Sequence, residues 1–344
     1  MFDDFTPTPH AEASSALAAI DLGSNSFRLE IGRVVHGQYL LDHAVKEMVS
    51  LGAGLDEQGL LSEEAIERGL CCLRIFATEL TRLQPARVRV VATQTLREAR
   101  NRDEFVRRAE AVLGLPVEVI SGQEEARLIY AGVSFLHPTA RRRLVIDIGG
   151  RSTEMIVGQG RTPTTIASFR IGCASLSKQF FPDGRITAAG FRSAQLAVDE
   201  QLSQSLAPFA AAHWDEAMGA SGTANAVSSV LKANGITDGV LTPKALRWLI
   251  DRCIEAGKVK RLDLPGLKPQ RRALLPGGLA ILYTLAAHCA IPRLRSAKGA
   301  LRQGVIVDLH EASQAARPLT PNMAVMRADR WADFTSSASV PLNA

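Results

Sequence analysis

The sequence predicts an α/β fold built twice over, with a cleft between the two halves. Three observations predict it. The segment Ile20-Asp21-Leu22-Gly23-Ser24-Asn25-Ser26-Phe27-Arg28 recurs without a gap as Ile146-Asp147-Ile148-Gly149-Gly150-Arg151-Ser152-Thr153-Glu154, 126 residues later. Each copy follows one apolar run and leads into another, which reads as strand, tight turn and return strand. Each is followed by alternating helical and strand patterns, the signature of α/β architecture.

The elements follow in order. Strands are expected at 17–22, 27–35 and 39–49, the last two joined by His36-Gly37. Ser62 caps an amphipathic helix to about 83, with Glu63 and Glu64 in its first turn, and Pro85 stops it. The continuous apolar run at 88–92 suits a parallel strand covered on both faces. A helix at 103–113 ends at Gly114, and a strand at 117–120 leads into a helix at 123–135. The pattern then restarts with strands at 143–148, 153–157 and 164–169. Helices are expected at 188–207, 223–234, 243–256, 271–290 and 299–310, with a short strand at 216–218. Thr242-Pro243 is a cap followed by a first-turn proline. Domains at 16–130 and 131–312 result, with the boundary near 128–140, where His137-Pro138-Thr139 interrupts the pattern. A disordered leader at 1–15 and a flexible tail at 313–344 flank them.

Composition narrows the function. At 344 residues, 46% hydrophobic and 22% charged, the chain can bury two ordinary cores. No apolar run approaches the ~18 residues of a membrane span, and the polar N-terminus lacks a signal-peptide pattern. A cytoplasmic protein without a membrane partner is expected. None of the five cysteines forms a C-x-x-C pair or lies near histidine at zinc spacing, which argues against structural zinc. The net charge of +5 is clustered at Arg141-Arg142-Arg143, Lys258 to Arg261, Lys268 with Arg271-Arg272, and Arg293 to Lys298. Such clusters either steer a polyanion or simply solvate the surface. Aromatic residues are only 5%, so stacking platforms are scarce and nucleic acid is not expected.

Four motifs carry chemistry. In the paired turns, Gly23, Gly149 and Gly150 let backbone N–H groups approach an anion, and Ser24, Asn25, Ser26, Ser152 and Thr153 add polar side chains. Asp21 and Asp147 repel phosphate; their sensible role is to hold Mg²⁺ beside it, with Glu154 assisting. The second motif is Ser121-Gly122-Gln123-Glu124-Glu125-Ala126-Arg127. Glu124 completes a capping box with Ser121, while Glu125 faces elsewhere and is open to a structural or a base role. The third is Gly219-Ala220-Ser221-Gly222-Thr223, where Gly222 lies at a helix start suited to anions. The fourth comprises Arg97 and Arg302, whose guanidinium forks match phosphate oxygens or a surface carboxylate equally well. No Walker or dinucleotide fingerprint occurs, and no Ser-His-Asp arrangement is evident.

Together these residues resemble the exopolyphosphatase / guanosine pentaphosphate phosphohydrolase family, from about Ala18 to Leu309. The resemblance rests on the two Asp turns, Thr95-Leu96-Arg97, Ser121 to Arg127, Gly219 to Thr223 and Gly299-Ala300-Leu301-Arg302-Gln303-Gly304. It implies two ribonuclease H-like domains of the actin/Hsp70/sugar-kinase type, in the family's short form. It implies Mg²⁺-dependent release of terminal phosphate from inorganic polyphosphate, from guanosine pentaphosphate, or from both. It makes Glu125 the base, and makes the turns, Arg97 and Gly222 the phosphate-binding set. Asp147, Glu154 and Asp21 would hold the metal. Arg28 and Arg302 would contact a guanosine penta- or tetraphosphate. Arg151 stands where the family has a third glycine, and either adds a cation to the site or crowds it; crowding would fit a non-catalytic sensor. A kinase on the same fold and an isologous homodimer are further expectations.

Overall fold

The computed structural model describes residues 15–315. The first half contains strands β1 (Leu17–Leu22), β2 (Phe27–Val35) and β3 (Gln38–Glu47), then helix α1 (Glu63–Leu83) and strand β4 (Arg87–Ala92). Helices α2 (Gln94–Glu98) and α3 (Arg102–Leu113), strand β5 (Val117–Val119) and helix α4 (Gly122–Leu136) follow. The second half opens on β6 (Arg142–Ile148), β7 (Thr153–Gln159) and β8 (Thr162–Phe169). It continues with α5 (Cys173–Phe180), α6 (Ala188–Leu202), β9 (Glu216–Ala220), α7 (Ser221–Ala233) and α8 (Pro243–Ala256). It closes on α9 (Leu275–His288), β10 (Arg295–Ser296) and α10 (Leu301–Ala315). The expected leader and tail lie outside the described residues, except for Ser15 and for residues 313–315, which continue α10 as helix.

The duplication is reproduced in three dimensions. The first sheet has the order β3-β2-β1-β4-β5 and the second β8-β7-β6-β9-β10, so equivalent strands occupy equivalent places. The first three strands of each are antiparallel neighbours and the last two are added in parallel. Register repeats as well: Asp21 lies opposite Arg28, and Asp147 opposite Glu154. Each sheet carries a bulge at its matched glycine, between Ile31 and Gly32 and between Val157 and Gly158. A β-carbon at Gly32 would lie 2.7 Å from the Leu40 carbonyl oxygen, and one at Gly158 2.6 Å from that of Thr162.

Local chemistry explains the helix ends. Ser62, Ser121 and Thr242 each accept a backbone N–H three residues on, and Gly114 ends α3 in the left-handed region. Three apolar cores form. One covers the first sheet with α1 and α3. A larger one packs α5 to α9 around the second sheet. The third binds α4 and α10 between the sheets, joining Leu17, Ala19 and Val91 to Val145, Ile156 and Met218. There the glycines of the late motif serve packing. A β-carbon at Gly304 would stand 1.8 Å from the Leu128 carbonyl oxygen, and one at Gly132 2.3 Å from that of Ala300. Helix α4 packs on strands of the second sheet, so its first turn brings Glu125 to the junction of the halves.

Candidate active site

The two Asp-containing turns meet face to face. A β-carbon placed on Gly150 would lie 3.2 Å from Ser24 Cβ and 3.8 Å from Asn25 Cβ. The second turn is closed by the Gly149 N–H donating to the Ser152 carbonyl at 2.9 Å. The first is held from outside, where the N–H groups of Ser50 and Gly52 donate to the carbonyls of Asn25 and Ser24 at 2.9 and 2.8 Å. Between the turns lies a cavity of about 100 Å³. It is lined by the backbone and side chains of Gly23, Ser24, Asn25, Ser26, Gly149, Gly150, Ser152 and Gly222. Four carboxylates, Asp21, Glu125, Asp147 and Glu154, line the same space.

Those carboxylates disturb one another. Burial pushes Glu125 up to about 7, with Asp21 and Asp147 adding to the rise and Arg97 opposing it. Burial likewise lifts Asp147 to about 6, against a hydrogen bond from the Ser221 hydroxyl at 2.6 Å. Glu154 is raised well above the usual range by burial and then by Glu125 and Asp147. Its Oε1 accepts the Ser168 hydroxyl at 2.9 Å. Asp21 is raised by burial against the opposing pull of Arg302 and Arg28. Ser221 itself has φ of 59°, a left-handed conformation unusual for a residue with a side chain. Such strain is found at sites where one hydroxyl must be aimed.

A chain of side chains runs from the second turn to Glu125. Arg151 donates from Nε and Nη2 to Glu98 at 2.9 and 2.5 Å. Glu98 accepts the Gln94 amide at 2.6 Å, and Gln94 accepts Arg97 at 2.9 and 2.7 Å. Arg97 Nη1 then donates to Glu125 at 2.8 Å and to the Ile120 carbonyl at 3.0 Å. Three residues expected to bind phosphate therefore stand elsewhere. Arg97 and Arg151 are turned to carboxylates and do not line the cavity. Arg151 adopts a negative φ, so the missing glycine leaves no backbone strain, and its side chain leaves the cleft uncrowded. Thr153 is fully buried and donates to the Ile171 carbonyl at 2.7 Å, because alternate strand residues face opposite sides.

Arg28 and Arg302 do line the cavity, as expected of ligand-contacting residues. Arg302 is held between Glu30 at 3.0 Å and Asp21 at 3.4 Å. Burial and Arg302 lower Arg28 to about 10. Both open onto a second, basic cavity of about 530 Å³ that also meets Lys46, Lys268, Arg271 and Lys298. Lys46 is pushed down to about 8 by burial and by Arg28, Arg271, Lys268 and Arg302. A site that holds its own cations together against repulsion is built for an anion.

The donor set fits a hard divalent cation. All four acidic groups offer oxygen only, and their mutual repulsion is the charge such an ion removes. Among the described residues no three acidic, His or Cys side chains converge closely enough to cage an ion unaided. Mg²⁺ does not require that, since it takes one or two carboxylates and completes its shell with water and substrate phosphate.

Sequence reasoning missed Gln94, Glu98, Ser168 and Lys46. Gln94 and Glu98 stand at i and i+4 of α2, a spacing that signals a shared helix face. Ser221 and Arg271 stood inside quoted segments without a role. A β-carbon at Gly222 would lie only 1.8 Å from Arg271 Nη2, so that glycine admits the guanidinium to the site.

Two matched sheets with facing Asp turns define a duplicated ribonuclease H-like protein of the actin/Hsp70/sugar-kinase type. The family model described as Ppx/GppA phosphatase family matches residues 31–312, and the chain belongs to that family. It is similar to two structures of the Aquifex aeolicus Ppx/GppA protein. One is 27% identical over 86% of this chain and 100% of the other, with a TM-score of 0.71. The other is 26% identical over 89% and 100%, with a TM-score of 0.73. An exopolyphosphatase-like protein is 25% identical over 88% of this chain and 99% of its own, with a TM-score of 0.77. No helix among the described residues is long and apolar enough to cross a membrane.

Proposed function

We propose that the protein is a Mg²⁺-dependent exopolyphosphatase. The observation that carries this reading is the placement of Glu125, buried in the acidic cavity between two anion-receptive turns, with the basic cavity opening beside it. The terminal phosphate would lie between the turns, where N–H groups around Gly23–Ser26 and Gly149–Ser152 receive its oxygens. The remaining phosphates would run over Arg28, Arg271 and Lys268. Glu125 takes a proton from a water, whose oxygen attacks the terminal phosphorus in line. The bridging P–O bond breaks, orthophosphate leaves, and the shortened chain keeps the bridging oxygen as its new terminal oxyanion. Arg97 positions Glu125 without touching the reacting atoms. Mg²⁺, when bound by Asp147 and Glu154, with Asp21 acting on its water shell, would neutralise charge on the phosphate oxygens.

A second reading, guanosine pentaphosphate as substrate, is favoured by one feature of the basic cavity. Asn225, Ser229 and Gln270 line it beside the cations, offering amide and hydroxyl partners that a base and ribose use and a bare phosphate chain does not. The deciding experiment measures Mg²⁺-dependent phosphate release from long polyphosphate, tripolyphosphate and guanosine pentaphosphate, with Glu125→Gln as control. Release from polyphosphate that falls about 10²–10⁴-fold in the variant supports the first reading. Turnover of guanosine pentaphosphate alone moves the assignment to the second, and full activity in Glu125→Gln removes the base.

A further inference from the structure

A second concave basic site lies at the other end of the second sheet. Strand β6 begins at Arg142 and ends beside Asp147, and β9 begins at Glu216 and leads to Ser221. At their starting ends a cavity of about 540 Å³ is lined by Arg141, Arg143, Arg293 and Arg295. From Arg143 to Asp147 is four residues of strand, roughly 13 Å at ~3.3 Å per residue. The cavity is thus separate from the acidic cleft.

Its charges are not balanced from within. The two carboxylates in its wall are already engaged. Asp215 takes Arg142 at 2.9 Å, and Glu216 takes Arg143 Nε at 2.6 Å. Arg143 is 3% exposed, yet its Nη1 is buried without any hydrogen-bond partner among the described residues. A buried charged donor left unsatisfied is costly, so such groups normally have a partner. Arg141, Arg293 and Arg295 form no ion pair among the described residues either. His137 lines the cavity as well. Its Nε2 accepts the Lys298 N–H at 2.9 Å, so the ring proton resides on Nδ1.

We propose that this cavity is an accessory binding site for a short inorganic phosphate chain. Arginine forks match phosphate oxygens bidentately, and four of them around one hollow suit a ligand carrying several charges on neighbouring atoms. A duplex nucleic acid fits less well. Its phosphates each carry one charge and lie apart between sugars, whereas this hollow gathers four arginines around one small volume. Binding here does not depend on the hydrolytic reading, because it requires neither Glu125 nor metal.

The test is calorimetric titration of the full chain with tripolyphosphate, in chelator and at 0.15 M salt. The Arg293→Ala/Arg295→Ala variant is expected to bind one molar equivalent fewer than wild type, with an unchanged melting temperature. Arg143→Met is expected to lose the same equivalent, and the double variant decides should Arg143→Met fail to fold. Unchanged stoichiometry in the folded double variant overturns the proposal. So does a site that citrate fills while tripolyphosphate does not, or one occupied by a DNA duplex in place of tripolyphosphate. Loss of hydrolysis with this equivalent intact would count against the function proposed for the cleft and leave the accessory site standing.

Discussion

Arg97 Nη1 stands 2.8 Å from Glu125 Oε2, with the pair largely shielded from water at the junction of the two halves. The guanidinium does two things at once. It lowers the proton affinity of a carboxylate that burial and its acidic neighbours raise, and it fixes the direction of that carboxylate through its own bond to the Ile120 carbonyl. Gln94 and Glu98 in turn fix the arginine.

The pH dependence of hydrolysis follows from this pair. A base must be unprotonated, so activity rises with pH along a limb set by Glu125, which burial and its acidic neighbours push up to about 7 in metal-free protein and which Mg²⁺ beside Asp147 would move lower. In Arg97→Met the opposing cation is gone, so the limb moves to higher pH. The rate at neutral pH then falls about tenfold for each unit moved. A pH–rate profile checks this, and a limb that stays in place would show that the pair does not set the base.

Stability carries the opposite sign. A carboxyl whose folded proton affinity is raised stabilises the folded state below its unfolded value and loses that contribution as pH rises through the folded value. For Glu125 the window runs from 4.5 to about 7, and for Asp147 from 3.8 to about 6. Metal-free protein is therefore expected to melt several degrees lower at pH 8 than at pH 5, and Glu154→Gln to lose less over the same interval. Adding Mg²⁺ should raise the melting temperature more at pH 8 than at pH 5. Equal gains at both values would speak against binding by these carboxylates.

Arg151 and Glu98 tie the second turn to the helix that carries Arg97. A double-mutant cycle of Arg151→Met and Glu98→Gln, read by denaturant unfolding, should give a coupling of roughly 0.5–3 kcal/mol. Each single variant should also lower kcat with little change in KM, because neither residue lines the cavity. A change confined to KM would instead place Arg151 on the substrate.

The basic cavity should act on length. Lys46→Ala and Lys268→Ala are expected to raise KM for long polyphosphate several-fold and for tripolyphosphate less, with a shallower salt dependence. Equal effects on both substrates would mean that the chain does not cross this cavity.

Much of this architecture was legible in the residues. The paired turns, their Asp positions, the caps at Ser62, Ser121 and Thr242, and the helix stop at Gly114 all rest on patterns a few residues long. The short helices at 94–98 and 173–180 and the two-residue strand β10 escaped, because a segment of a few residues carries too little periodicity to register. The same limit applied to arginine roles. Arg97 and Arg302 read alike as forks for phosphate, yet Arg97 stands behind the cavity wall and clamps Glu125, while Arg302 lines the cavity between Glu30 and Asp21.

By itself the sequence determined that this protein is a duplicated α/β chain with two Asp turns; that Glu125 stands beside them was implied only by the family resemblance. Repetition, turn glycines and capping residues act locally and survive in one dimension. Only the tertiary structure decided which charged groups face the cleft and which are spent on one another. Arg151 meets Glu98 across 53 positions, and Arg302 meets Glu30 across 272. Such pairings form only when distant segments pack together, and no local pattern encodes which of many carboxylates an arginine will find.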